Sequence, residues 1–242
     1  MGAILEVYRK TRKVPDLFWN LYVCRPVAAI VVAAVKNTRI TPNQITLISF
    51  VLALGAAAMI ALLPGYWGLL IAIVTYEFSY VLDCADGMLA RWRKIQSPSG
   101  HLFDFLMDEL KAFVILGVVS VRLYLASQND RFLLLGIGGL VCLASGIAMT
   151  SFLRHPEIAG PAPAAPASPP RVSLVKRSVR LAERGAKFLI HYPSYILYVA
   201  IVGRIEIYFY VYIAVNALYV LRCLASIALR FGRERRVPAG DA

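Results

Sequence analysis

The chain has 242 residues, 59% of them hydrophobic and only 17% charged, with a formal net charge of +12. That balance, with a mean hydropathy of +0.65, excludes a soluble domain of ordinary make-up. Several apolar runs approach or exceed the ~20 residues that cross a bilayer. The positive charge is therefore read as cytoplasmic loops facing anionic lipid, and no nucleic-acid partner is expected.

Residues 1–39 form an N-terminal arm. Met1 to Lys13 is charged and lacks the apolar centre of a signal peptide, and Glu6 stands where a myristoylation motif needs Ser or Thr. From Asp16 to Asn37 the pattern is amphipathic, with Leu17, Leu21, Val27, Ile30 and Val31 set against Arg25 and Lys36. This piece is expected to lie along the membrane interface, with a break or a fresh helix start at Pro26. Thr41-Pro42-Asn43-Gln44 then opens a helix: Thr41 is an N-cap, Pro42 suits the first helical position and Gln44 closes a capping box.

The fold class expected is an all-α integral membrane protein with six transmembrane helices over residues 40–231. The spans read as Asn43 to Leu63, Trp67 to Arg91, Gly100 to Leu125, Phe132 to Leu153, Phe188 to Val202 and Ile207 to Phe231. Ser99 is the cap expected for the third. Between the fourth and fifth, residues 156–172 form a Pro/Ala-rich linker without a helix. Ser173 to Lys187 is basic and patterned as a second interfacial helix, and residues 232–242 form a basic tail.

Lysines and arginines set the orientation. They crowd the arm, the turn after span two (Arg91, Arg93, Lys94), the segment after span four and the tail, whereas the opposite loops hold only Arg122, Arg131 and Arg204. Both termini are therefore expected in the cytoplasm. The four cysteines, Cys24, Cys84, Cys142 and Cys223, are scattered and read as buried reduced thiols.

The chemistry concentrates in Asp83-Cys84-Ala85-Asp86-Gly87-Met88-Leu89-Ala90-Arg91, followed after eight residues by Gly100-His101-Leu102-Phe103-Asp104-Phe105-Leu106-Met107-Asp108. Asp83 and Asp86 are three apart and Asp104 and Asp108 four apart, so each pair shares a helix face. The short connection makes the two helices antiparallel and lets the pairs converge on the cytoplasmic side. Unpaired carboxylates repel one another at low dielectric, which protonation or divalent cations resolve. An all-oxygen set suits Mg2+, Mn2+ or Ca2+, and two bridged cations can clamp a pyrophosphate. Gly87 and Ala90 let a ligand approach the backbone, Gly100 permits close packing, and the Arg91 fork can hold phosphate oxygens. The plainer alternative pairs these aspartates with Arg91, Arg93, Lys94 and Lys111 as buried salt bridges.

The pattern Asp83-x2-Asp86-Gly87-x2-Ala90-Arg91-x8-Gly100-x3-Asp104-x3-Asp108 resembles the signature of the CDP-alcohol phosphotransferase (CDP-alcohol phosphatidyltransferase) family. The likeness extends to the helix start Thr41-Pro42-Asn43-Gln44-Ile45-Thr46 and to the six-span plan. It implies a homodimeric membrane enzyme, using Mg2+ or Mn2+ (two ions), that transfers a substituted phosphoryl group from a CDP-linked donor to a hydroxyl and releases CMP. By position, Asp83, Asp86, Asp104 and Asp108 would be metal ligands, with Asp108 also the general base. Gly87, Ala90, Arg91 and Gly100 would line the CDP pocket, with Pro42, Asn43 and Thr46 on its nucleotide side.

The reading adopted is a phosphatidyl transfer from CDP-diacylglycerol to a small polar alcohol such as inositol phosphate or glycerol phosphate. The setting would be a bacterial inner membrane with the site facing the cytoplasm. Arg154 and Lys111 are candidate acceptor-binding residues. Glu109 is turned about 100° from Asp108 on the helix, toward either the acceptor cavity or a neighbouring helix. His101 reads as a solvated interfacial side chain, and the tyrosines from Tyr192 to Tyr212 read as an interfacial aromatic belt. A CDP-choline or CDP-ethanolamine:diacylglycerol phosphotransferase is the alternative within the class. A divalent cation transporter is the alternative outside it; it leaves Gly87, Ala90 and Arg91 unexplained.

Overall fold

A computed structural model describes residues 2–13, 16–155, 158 and 192–231, and every regular element among them is helical. Helix α1 (Gly2–Thr11) belongs to the arm. A π-helical turn, Asn20–Cys24, runs directly into α2 (Arg25–Val35), with Pro26 in the first turn of α2. Proline has no N–H to lose in a first turn, and the widened turn before it makes room for its ring. The break expected at Pro26 is thus a change of winding within one continuous helical path.

Five helices are long and apolar enough to cross a membrane: α3 (Pro42–Leu62), α4 (Gly65–Arg93), α5 (Pro98–Ser127), α6 (Arg131–Arg154) and α8 (Ile205–Phe231). The eleven described residues of α7 (Tyr192–Val202) fall short of that length. The fifth expected span, Phe188 to Val202, is therefore described only from Tyr192 onward. The Pro/Ala linker, the Ser173–Lys187 helix and the basic tail lie outside the described residues.

Local chemistry sets the helix ends. Thr41 caps α3 in a complete capping box with Gln44. Ser97, not Ser99, caps α5: its hydroxyl accepts the Gly100 amide at 3.1 Å, and Pro98 takes the first turn. The helix so begins earlier than expected, because proline is as good at that position as at Pro42. Gly65, at φ 73°, permits the tight turn from α3 into α4. Arg93 gathers the carbonyls of Val35, Lys36, Thr38 and Ile40 at the end of α2. Arg122 does the same for Ile60, Leu63 and Gly65 at the end of α3. Each guanidinium satisfies carbonyls that a helix terminus leaves open.

Two apolar clusters organise the packing. The larger joins α3, α4, α5, α7 and α8 around Ala56, Ile60, Ile73, Ile115 and Phe209. Within the α3–α4 contact, the Ser49 and Ser79 hydroxyls each donate to the other residue's carbonyl at 2.8 Å. Small and hydroxylated residues there bring two membrane helices close without orphaning a polar group. Tyr208 is fully buried and stacks on Tyr212 at 5.3 Å, so it is a core residue, unlike the exposed Tyr198 and Tyr210. The aromatic-belt reading does not extend to Tyr208. The second cluster joins the arm to the last turns of α4 through Val7, Cys24, Ala28, Val32, Ala85 and Met88. It forms the floor on which the polar site is built. All four cysteines are free thiols; Cys24, Cys84 and Cys223 are buried as expected, whereas Cys142 on α6 is only half-buried.

Candidate active site

The start of α3, the end of α4 and the start of α5 meet at one end of the bundle. Asp83, Asp104 and Asp108 each place a carboxylate oxygen there, all within 4.8 Å of one another. Lys111, only 4% exposed, donates to Asp83 and, at 3.1 Å, to Asp108. The salt-bridge reading is thus realised by Lys111, whereas Arg93 is engaged by carbonyls and Arg91 by the Thr11 carbonyl at 2.6 Å. Asp86 stands apart from the three. It is buried and accepts the hydroxyl of Thr46, which also donates to the Pro42 carbonyl at 3.2 Å.

Beside the carboxylates opens a cavity of about 730 Å3, within the ~300–1,000 Å3 usual for small-molecule sites. Pro42, Asn43, Thr46, Asp83, Asp86, Gly87, Ala90, Arg91, Gly100 and Asp104 all line it. A Cβ at Gly100 would lie 3.1 Å from Ser97 Oγ and 3.5 Å from Asn43 Oδ1, so the missing side chain lets α5 close on α3. Asp108, with its side chain 49% exposed, lies outside the lining, at the carboxylate end. Glu109 is half-buried and does not line the cavity. Arg154 ends α6 at the same end of the bundle, exposed and outside the cavity wall. His101 lines the cavity and is exposed.

The donor set fits a hard divalent cation. It is all carboxylate oxygen, and Asp104 Oδ1 is buried without a hydrogen-bond partner among the described residues.

Sequence reasoning missed the wall that the arm supplies. Lys13, Asp16, Asn20 and Arg25 line the cavity together with Tyr80 of α4. Asp16 accepts from Arg25 Nε, from the Leu17 amide at 2.9 Å and from Asn20 Nδ2 at 3.2 Å, and Asn20 Oδ1 accepts the Tyr80 hydroxyl at 3.0 Å. Burial raises the Asp16 carboxyl, but the bonds from Arg25, Leu17 and Asn20 outweigh it and hold the group below its usual range. The available signal was a polar set, Asp16, Asn20 and Arg25, in a stretch otherwise apolar enough to lie on a membrane.

Residues 39–174 match the model of the CDP-alcohol phosphatidyltransferase family. The chain belongs to this family. A bifunctional IPC transferase and DIPP synthase from Archaeoglobus fulgidus is 30% identical over 106 residues, which are 44% of this chain and 20% of that protein. The chain thus spans about a fifth of the length of the relative it matches. The residues that match the CDP-alcohol phosphatidyltransferase model hold all four aspartates of the signature but none of the arm's cavity-lining side chains.

Proposed function

We propose that this chain is a membrane enzyme that transfers a phosphatidyl group from CDP-diacylglycerol to the hydroxyl of a small polar alcohol and releases CMP. Inositol phosphate and glycerol phosphate are the acceptors favoured. The observation that carries the reading is the convergence of Asp83, Asp104 and Asp108 beside a cavity lined by the rest of the signature. Six spans with cytoplasmic termini and a homodimeric assembly belong to the same proposal. So do Pro42, Asn43 and Thr46 on the nucleotide side, and Arg154 with Lys111 toward the acceptor.

Asp83, Asp104 and Asp108, with Asp86 one turn away, would hold Mg2+ or Mn2+. Such cations neutralise a diphosphate and stabilise the departing CMP. The remaining work falls to the chain's own groups. Asp108 is the most exposed of the three clustered carboxylates and is steadied by Lys111. It can accept the proton of an incoming hydroxyl, since a carboxylate within hydrogen-bond reach assists a poor nucleophile. Gly87 and Ala90 leave space for the nucleotide against α4. A site at the end of three apolar helices lets acyl chains stay in lipid while the polar reactants meet in the cavity.

The test is purified protein with CDP-diacylglycerol and Mn2+, assayed for CMP release against a panel of alcohols. Asp108→Asn should lower that rate at least 100-fold while leaving the melting curve close to wild type. Full activity in this variant would remove the assigned base. No CMP with any alcohol, alongside metal flux into vesicles, would favour the transporter instead.

A further inference from the structure

Two arginines, Arg25 and Arg91, line the cavity wall. Arg25 is 6% exposed, and the little surface it keeps opens on the cavity. Its Nε is spent on Asp16. Arg91 spends its Nε on the Thr11 carbonyl of the arm, and its Nη1 lies 3.4 Å from where a Cβ at Gly87 would stand. Both side chains line the same cavity. None of their terminal N–H groups has a protein partner among the described residues.

We infer that Arg25 and Arg91 form a two-guanidinium clamp for a phosphate oxyanion of the substrate, which the N-terminal arm completes. The inference rests on the phosphatidyl-transfer reading for its ligand, but its geometry stands apart from the carboxylates. Arg25 is paired with Asp16, whereas Arg91 is bonded to a neutral carbonyl and has no carboxylate partner among the described residues, so an anion in the cavity would lower the cost of its partly buried charge. A guanidinium whose Nε is already fixed presents its two terminal nitrogens as a preset fork, which matches the paired oxygens of a phosphate. Asp16 holds one fork through Arg25, and Thr11 holds the other through Arg91. Lys13, also in the wall, adds to the positive field. The arm lies outside the residues that match the family model, so this half of the clamp is a property of the chain's own N-terminus. The phosphate chemistry could come from the diphosphate of the donor or from a phosphorylated acceptor.

The deciding variant is Asp16→Asn combined with Arg25→Gln, which removes the pair without leaving a buried carboxylate alone. Purified in detergent without divalent cations, the wild type should melt higher with inorganic pyrophosphate, and the double variant should lose that shift while keeping its ligand-free melting point. Affinity for CDP should fall about tenfold or more, as expected for lost charge-assisted bonds, and affinity for cytidine should not change. A rise in KM for CDP-diacylglycerol assigns the clamp to the donor. A rise confined to KM for glycerol 3-phosphate assigns it to the acceptor. If the double variant fails to fold, Arg25→Lys keeps the charge and the ion pair but loses the fork, and it should show the same split between CDP and cytidine. Unchanged pyrophosphate and CDP binding in a folded variant overturns the clamp. Arg25-dependent pyrophosphate binding without CMP release would instead overturn the transfer reading and leave the clamp standing.

Discussion

Lys111 separates two carboxylates that would otherwise repel each other. It is 4% exposed and bonded to Asp83 on α4 and Asp108 on α5. Its partnership with Asp108 was legible from the spacing of three on one helix. Its partnership with Asp83 was not, because that depends on how α4 and α5 are rotated against each other. The same limit applies to Asp86: spacing put it on a face with Asp83, but the Thr46 hydroxyl on α3 draws it aside. Removing one partner of a buried ion cluster costs ~3–5 kcal/mol, and a divalent cation at the carboxylates can replace the lost charge. Lys111→Met should therefore melt well below wild type in a chelator and recover most of the loss in Mn2+. Melting curves in detergent check this, and equal Mn2+ shifts in the two proteins would count against a cation at the triad.

At the scale of elements, most of the plan could be read from sequence because membrane helices announce themselves by length and punctuation. Pro42, the Pro64-Gly65 turn and Pro98 all mark real boundaries. What could not be read was α1, whose Arg9 and Lys10 mask the Val7 that packs against α2 and α4. Helix contacts were equally hidden. Gly136 of α6 faces Ser120 of α5 so closely that a Cβ there would stand 2.1 Å from Ser120 Oγ and 2.6 Å from Ser120 Cβ. The Ser120 hydroxyl is held by the Phe132 carbonyl at 2.7 Å, so it cannot swing away freely. Gly136→Ala should destabilise the protein by ~1–3 kcal/mol, the usual range for overpacking. Adding Ser120→Gly removes both clashing atoms and should restore part of that loss, less ~1 kcal/mol for a glycine inside a helix. A double-mutant cycle on thermal unfolding reads the coupling, and additive losses would mean that this contact does not hold α5 to α6.

The two ends of the molecule engage their basic side chains differently. At the end away from the carboxylates, Arg122 is committed to the carbonyls that end α3, and Arg204 is paired with Glu206. At the carboxylate end, Lys10 and Lys36 lie over the Trp92 ring at 5.4 and 4.8 Å, where cation–aromatic contact suits a membrane interface. With Arg91, Arg93 and Lys94 at the end of α4, the positive-inside rule would put the carboxylate end in the cytoplasm, where CDP-linked lipids would present their nucleotide. Impermeant maleimide tests this directly in a Cys142→Ala protein, because the other cysteines, Cys24, Cys84 and Cys223, are buried and give little background. Ser99→Cys sits at the carboxylate end and Asp130→Cys at the other, both exposed. Inside-out vesicles should label Ser99→Cys and spare Asp130→Cys, and right-side-out vesicles should do the opposite. The reverse pattern would place the cavity outside the cell, away from any cytosolic supply of cytidine nucleotides, and the transfer reading would then lose its substrate.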